Sequence, residues 1–348
     1  MSGDAAVPIY FRCDGGREDG LGHLSRCLAL ADWLAAEAGV KPVFLTHAPD
    51  GLGQGFIESR GHDCLLSPAL AGGDEDLGFV LDELSRGAER PILVIDSRRI
   101  GPDYVSACRD RGAVACLDDE SLRDLPCDLL INGHVWVSAE SYPARAARRV
   151  LAGADYNLIP PSLFAAESQS AATADPLHVL ITLGGEDPHN HTAWVVESCA
   201  DLLIGLGTTI VIGPAHPTPA TTKHMAQASL PRARVIESPP SLAPYIAEAD
   251  LAITAGGITC YELAAARVPQ LAIMVEEHQQ PLVEALERHG CLLSLGSYAD
   301  LPRDAARETL QRLIQSTEAR SALSQAAAAL FPSSGLSRVG EAILNTGI

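Results

Sequence analysis

The chain is short of positive charge. Against 44 Asp and Glu it carries 25 Lys and Arg, a formal net charge of −19 over 348 residues. No basic field exists to recruit a phosphate backbone, which excludes a general nucleic-acid surface or an anionic-membrane surface. A small phosphate ligand is not excluded, because backbone N–H groups can hold one. The nine cysteines include no C-x-x-C and no zinc-type spacing, so the pattern predicts reduced thiols in a cytoplasmic protein, not a disulfide framework. No apolar run approaches the roughly 18 residues of a membrane span. The start "MSGDAAVPIY" has neither the basic n-region nor the apolar h-region of a signal peptide. A Walker A loop is also missing, as is a G-x-G-x-x-G turn with an acidic residue about 20 positions on, so NAD and P-loop readings are weak.

What is present describes an ordinary globular chain, 47% hydrophobic and 20% charged, long enough for about two domains with a core each. Short apolar runs rich in Val, Ile and Leu read as strands: "VPIYFRC", "KPVFLT", "DCLLS", "PILVIDS", "AVACLDD" and "CDLLING". Helical patterns such as "HLSRCLALADWLAAEAG" lie between them, and this alternation predicts a parallel sheet covered on both faces. The stretch "IPPSLFAAESQSAATADP" has no period and reads as a linker. The alternation then restarts with "LHVLITLGG", "TTIVIG", "ARVIES", "ADLAITAGG", "VPQLAIMVE" and "CLLSLG". The expected organisation is a Rossmann-like domain over 1–160, a linker over 161–176 and a second Rossmann-like domain over 177–348 with an Ala- and Leu-rich helical tail. Two such halves usually enclose a cleft, and ligands of open α/β sheets sit at the carboxyl ends of the strands.

Three glycine-containing turns each follow a strand and precede a helix. The first, "DGLGHLSRCLALA", holds Gly20 and Gly22 and puts His23 in the first turn of a helix. Unpaired N–H groups there favour an anion, and the positive end of the helix dipole favours a neutral imidazole, which beside an anion can act as a base. The same imidazole could instead be a satisfied core or surface residue. The second turn carries Gly184 and Gly185, the third Gly256 and Gly257. Taken singly, each is as consistent with ordinary turn chemistry as with a phosphate site. "TCYE", Thr259 to Glu262, fits a capping box. It equally fits Thr259 on a phosphate and Glu262 on the two hydroxyls of a ribose.

Together these residues resemble a family. "RCDGGREDGLGHLSRCLALA" is similar to the RxD…GxGHxxRCLxLA opening of the PseG/SpsG-type proteins. Their type enzyme is UDP-2,4-diacetamido-2,4,6-trideoxy-β-L-altropyranose hydrolase. The resemblance continues in order through "LVIDS", "CLDDESLRDLPCDLLIN", "LAGADYNLI", "ITLGGEDPHNHT", "ITAGGITCYELAAARVPQLAI" and "EHQQPLVEAL". It implies a GT-B fold, two Rossmann-like domains facing each other across a cleft that holds a nucleotide-sugar. It implies cleavage of the anomeric C–O bond with inversion, without metal or other cofactor. Carried over by position, His23 matches the general base. Gly256, Gly257, Thr259 and Glu262 match the nucleotide-binding motif, and Gly184, Gly185 and Asp187 the "GGxDP" turn. Arg12, Asp14 and Arg26 match positions near the sugar.

One position departs: His278-Gln279 stands where the family shows Asn-Gln, close to the reacting diphosphate. An imidazolium at His278 could stabilise the departing group. A nucleoside diphosphate leaves well on its own, so no general acid is obligatory, unlike in ordinary glycosidases. The leading expectation is hydrolysis of a UDP-sugar with water activated by His23. The alternative is a GT-B glycosyltransferase that uses the same base on an acceptor, and a non-catalytic nucleotide-sugar sensor is a third reading.

Overall fold

The computed structural model describes residues 7–16, 21–87, 90–119, 122–144, 146–165, 177–297 and 299–347. They divide into two compact units, one of residues 1–159 with 334–348 and one of residues 160–333.

The first unit is built on a parallel sheet of seven strands: β1 Ile9–Cys13, β2 Val43–Thr46, β3 Asp63–Leu66, β4 Ile92–Asp96, β5 Ala113–Leu117, β6 Cys127–Asn132 and β7 Ala147–Ala152. Their order is β3-β2-β1-β4-β5-β6-β7, so the sheet grows outward in both directions from the β1/β4 pair. Strands β4, β5 and β6 are buried at every position, which is why they read as continuous apolar runs. Strand β7 escaped the sequence reading because it is a half-exposed edge strand, "ARRVLA", with two arginines. The helix Gly22–Ala38 buries Leu24, Cys27, Leu28, Ala31 and Leu34 on β1, as its spacing predicts, and ends at Gly39 in the left-handed region (φ 65°).

The second unit repeats the plan with six parallel strands: β8 His178–Thr182, β9 Gly207–Ile212, β10 Arg234–Glu237, β11 Leu251–Ala255, β12 Gln270–Met274 and β13 Leu293–Ser297. Their order is β10-β9-β8-β11-β12-β13, with the reversal between β8 and β11. Both units are thus Rossmann-like, and each has one topological switch point, where loops leave neighbouring strands for opposite faces and open a crevice.

The tail corrects the expected domain limits. Helices Arg303–Gln315 and Thr317–Leu330 stay with the second unit, but Leu336–Leu344 belongs to the first. Its Leu336, Val339, Ala342 and Ile343 join the core of the first sheet. Gly340 lets the helix backbone lie on the Trp33 indole, since an added Cβ would stand 2.1 Å from that ring. Most of the expected linker, 166–176, lies outside the described residues. Among the described residues no helix is long and apolar enough to cross a membrane.

Candidate functional site

At the first switch point, β1 leads through the glycine loop to His23 and β4 ends on Asp96. His23 Nδ1 lies 2.7 Å from Asp96 Oδ1. Arg26 Nη2 lies 3.0 Å from the same nitrogen. An ionised carboxylate only accepts, so in the tautomer that pairs with Asp96, the shorter contact, Nδ1–H donates and Nε2 keeps its lone pair. Arg26, one helical turn on, donates from Nε to Asp96 Oδ2 at 2.6 Å, and its Nη2 reaches Asp119 Oδ2 at 3.2 Å. The Cys27 thiol points at Asp96 Oδ2 from 3.4 Å. Burial works to raise the Asp96 carboxyl, but Arg26 and then His23 outweigh it and hold the group well below the usual carboxylate range. Burial likewise opposes charge on Arg26, and Asp96 and Asp119 overcome it. His23 Nε2 faces Asp119 Oδ2 across 4.0 Å, and both side chains keep part of their surface open. Among the described residues no side chain caps the N-terminus of the His23 helix. Two carboxylates and a guanidinium therefore surround the ring, a stronger local field than the helix dipole that the sequence suggested.

Asp119 is held through its neighbour. Asp118 accepts from Arg123 Nε at 2.7 Å and from Tyr142 OH at 2.7 Å, and Asn132 Nδ2 donates to the same hydroxyl at 2.8 Å. Sequence reasoning missed Asp96 and Asp119 as site residues. The available signal was their place at the carboxyl ends of "LVIDS" and "CLDD", the edge where parallel sheets bind ligands.

Arg12 and Asp14, expected near a sugar, form a buried ion-pair network. Arg12 is wholly buried and donates from Nε to Asp76 at 2.9 Å, from Nη1 to Asp14 and the Leu45 carbonyl, and from Nη2 to Asp14. Asp14 accepts the backbone N–H of His47 at 2.7 Å and of Ala71 at 2.9 Å. Asp76 completes the network with Ser67 and Tyr104. These residues tie down the loops after β2 and β3. Gly20 lies outside the described residues, and Gly22 opens the helix.

The second switch point brings the other two glycine turns together. Gly184 follows β8 with φ 86°, and a Cβ on it would come within 3.9 Å of Ala255 at the end of β11. The two turns differ in what lies behind them. Asp187, itself left-handed at φ 42°, accepts the first-turn N–H groups of helix His191–Leu203, from His191 at 2.7 Å and from Thr192 at 2.9 Å. Asn190 caps the same helix through Ala193 N–H. That helix start is closed, so Asp187 reads as a cap and not as a ligand. Behind Gly256 and Gly257, helix Thr259–Ala265 has Ile258 at its cap position, and among the described residues no side chain caps it. Its Cys260, Tyr261 and Glu262 N–H groups turn back on the Gly257 and Ile258 carbonyls. The capping box is not formed. Glu262 is half-buried, without a side-chain hydrogen bond or ion pair among the described residues, and burial pushes its carboxyl up to about 7.

Gly256 is required by packing, since an added Cβ would meet Val283 at 2.5 Å and Gln279 Cβ at 3.1 Å. Gln279 Oε1 accepts Val275 N–H at 2.9 Å, which pins the loop after β12 over this turn. His278 is half exposed, and its Nδ1 lies 3.0 Å from Glu276 Oε2. Glu276 thus already gives this ring a partner within its own loop. Among the described residues, no group of three or more His, Cys, Asp or Glu side chains could hold a metal ion.

With this geometry in view, the comparisons fall into place. No family model matches the chain. The chain resembles the spore coat polysaccharide biosynthesis protein SpsG of Bacillus subtilis (strain 168), 24% identical over 94% of both chains. Among solved structures it matches MurG of Acinetobacter baumannii at a TM-score of 0.69 and 14% identity, covering 98% of this chain and all of that one. The glycotransferase of kitacinnamycin matches at 0.65 and 16% (98% and 100% covered), and LpCGTa in complex with UDP at 0.66 and 13% (99% and 100% covered). The fold is GT-B.

Proposed function

We propose that the protein is an inverting sugar transferase that takes its sugar from a nucleotide-sugar, a UDP-sugar first among candidates, and passes it to a small-molecule acceptor. The observation that carries this reading is the His23–Asp96 pair at the first switch point, a tethered imidazole with a free Nε2. His23 takes the proton of the attacking group, Asp96 holds the ring and balances the imidazolium that forms, and Arg26 keeps Asp96 ionised. The nucleotide is assigned to the second unit. Gly256 and Gly257 permit close backbone approach, the Thr259 hydroxyl at the start of the helix suits a diphosphate, and Glu262 suits two ribose hydroxyls. Gln279 adds an amide beside the same turn. The resemblance to a polysaccharide biosynthesis protein and the likeness to a glycotransferase and to a UDP complex support transfer over hydrolysis. No step in this scheme requires a metal or cofactor, and a cytoplasmic location is part of the reading.

The test is incubation with UDP-, CDP- and CMP-linked sugars, with and without an acceptor panel, in excess EDTA, followed by chromatography. Transfer predicts nucleotide release that an acceptor stimulates, with a new glycoside formed. Free sugar formed at the same rate without acceptor would return the reading to hydrolysis, and loss of all turnover in EDTA would overturn the metal-free scheme.

A further inference from the structure

The turn after β6 carries an aromatic pair that this chemistry leaves unused. His134 and Trp136, both half-buried, stack with ring centroids 4.1 Å apart and 20° between their planes. The His134 backbone N–H donates to Asn132 Oδ1 at 3.0 Å, and its ring is hydrogen-bonded to the backbone of Asp119. Burial first, and then Arg26, push this imidazole down to about 4, so the stack is neutral at physiological pH. Uncharged aromatic surface thus lies directly beside the charged cluster of His23, Arg26, Asp96 and Asp119.

Within that cluster, two acceptors face the same space. His23 Nε2 has a lone pair once Nδ1–H is committed to Asp96, and Asp119 Oδ2 stands 4.0 Å from it. Arg26 at 3.2 Å and Arg98 at 3.8 Å keep Asp119 ionised, and an ionised carboxylate cannot donate. A nucleophile that meets both atoms must bring two donors. A simple alcohol has one; water and a primary amine have two but no apolar ring face. Two adjacent hydroxyls on a ring have two, and the C–H face of such a ring matches the apolar face of an aromatic pair.

We propose, resting on the transfer reading above, that the acceptor is a polyhydroxylated ring, a sugar or cyclitol. Two of its adjacent hydroxyls bind His23 Nε2 and Asp119 Oδ2, and its C–H face lies on the His134–Trp136 stack. The hydroxyl at His23 is the nucleophile. Its oxygen bonds to the anomeric carbon as the bond from that carbon to the diphosphate oxygen breaks. Its proton passes to Nε2, and the nucleoside diphosphate leaves with the bonding pair. Asp119 keeps the second hydroxyl and so decides which of the two reacts, which makes it a specificity-determining residue.

The test needs no donor substrate. The full chain, with UDP present, is examined by saturation-transfer NMR with methyl α-glucopyranoside, methyl β-galactopyranoside and myo-inositol, and with cyclohexanol and ethanolamine as controls. The expected result is binding of at least one ring polyol, with the strongest transfer to its ring C–H protons. Asp119→Asn and Trp136→Ala each weaken that binding about tenfold or more, while Trp136→Phe stays within about threefold. Should Trp136→Ala fail to fold, His134→Ala decides the same point. Binding of cyclohexanol or ethanolamine as tight as that of the polyols, no binding by any polyol, or indifference to Asp119→Asn would overturn the proposal. Polyols that bind as expected while the nucleotide-sugar panel yields only free sugar would overturn the transfer reading instead, so the two failures are told apart.

Discussion

The two switch points occupy equivalent places in equivalent sheets, yet they are built from different chemistry. The first collects charge: His23, Arg26, Asp96 and Asp119 within contact of one another. The second collects backbone: Gly184, Gly185, Gly256 and Gly257 at the ends of β8 and β11, with the desolvated carboxylate of Glu262 behind the second pair. Moving a proton needs a titratable group held by a fixed counter-charge, whereas holding a diphosphate needs N–H groups and room. Under the transfer proposed above, the difference teaches that one fold, used twice, divides one reaction between its copies. Within the second copy a finer contrast repeats the lesson. Of two similar glycine turns, the one followed by Asp187 has a carboxylate over its first-turn N–H groups, and the one followed by Thr259 has only backbone carbonyls there.

Substitutions can break this division of labour, and the largest effect belongs to the charged side. His23→Asn should lower kcat by roughly 10²–10⁴-fold and leave UDP affinity within about twofold. A loss in affinity of the same size as the loss in kcat would mean that the first unit binds nucleotide as well.

Glu262→Gln comes next, with an effect on binding. A carboxylate accepts from two ribose hydroxyls, and replacing it should weaken UDP about tenfold with kcat little changed. The sign with pH follows from a carboxyl raised to about 7. Below that pH it must lose its proton to accept both hydroxyls, so wild-type affinity rises with pH up to about 7 and then levels. The ratio of wild-type to variant affinity, which cancels the titration of the phosphates, should rise in the same way. Stability runs the other way. A carboxyl raised in the folded state disfavours folding once the unfolded chain ionises, so above pH 7 the Gln variant should melt higher than wild type, and near pH 4 the two should coincide. A flat affinity ratio from pH 5 to 9 would remove Glu262 from the nucleotide site.

Asp187→Ala probes the closed turn. Loss of a cap, and an alanine forced into the left-handed region, should cost about 1–2 kcal/mol in a urea titration, with UDP affinity within about twofold of wild type. Weakened UDP binding at unchanged stability would reverse the contrast between the two turns. The smallest effect is expected at His278, half exposed against Glu276. The pH–rate profiles of wild type and His278→Asn should superimpose, and loss of an alkaline limb in the variant would restore His278 to the reaction.

Much of this architecture was legible in the residues. Buried parallel strands are apolar without interruption, so runs such as "PILVIDS" announce themselves, while β7, polar and at the edge, did not. His23 and Arg26 were legible because they sit one helical turn apart in a single motif. Asp96 is 73 residues from His23, and only the strand order brings the two together. Arg12 and Asp14 carry the same motif but point into the protein, because side chains alternate along a strand and sequence does not label which face is covered. The tail was misplaced for a related reason: an apolar helix face does not name the core that it joins, and Leu336–Leu344 joins the first.

The central claim is that a tethered His23 takes the proton of the attacking hydroxyl. Single-turnover nucleotide release by His23→Ala, measured with increasing free imidazole, tests it most directly. The account predicts a rate reduced by roughly 10²-fold or more that climbs with the concentration of neutral imidazole, at unchanged UDP affinity. A His23→Ala enzyme that keeps its rate within about threefold of wild type, or one whose lost rate no concentration of imidazole restores, would contradict it.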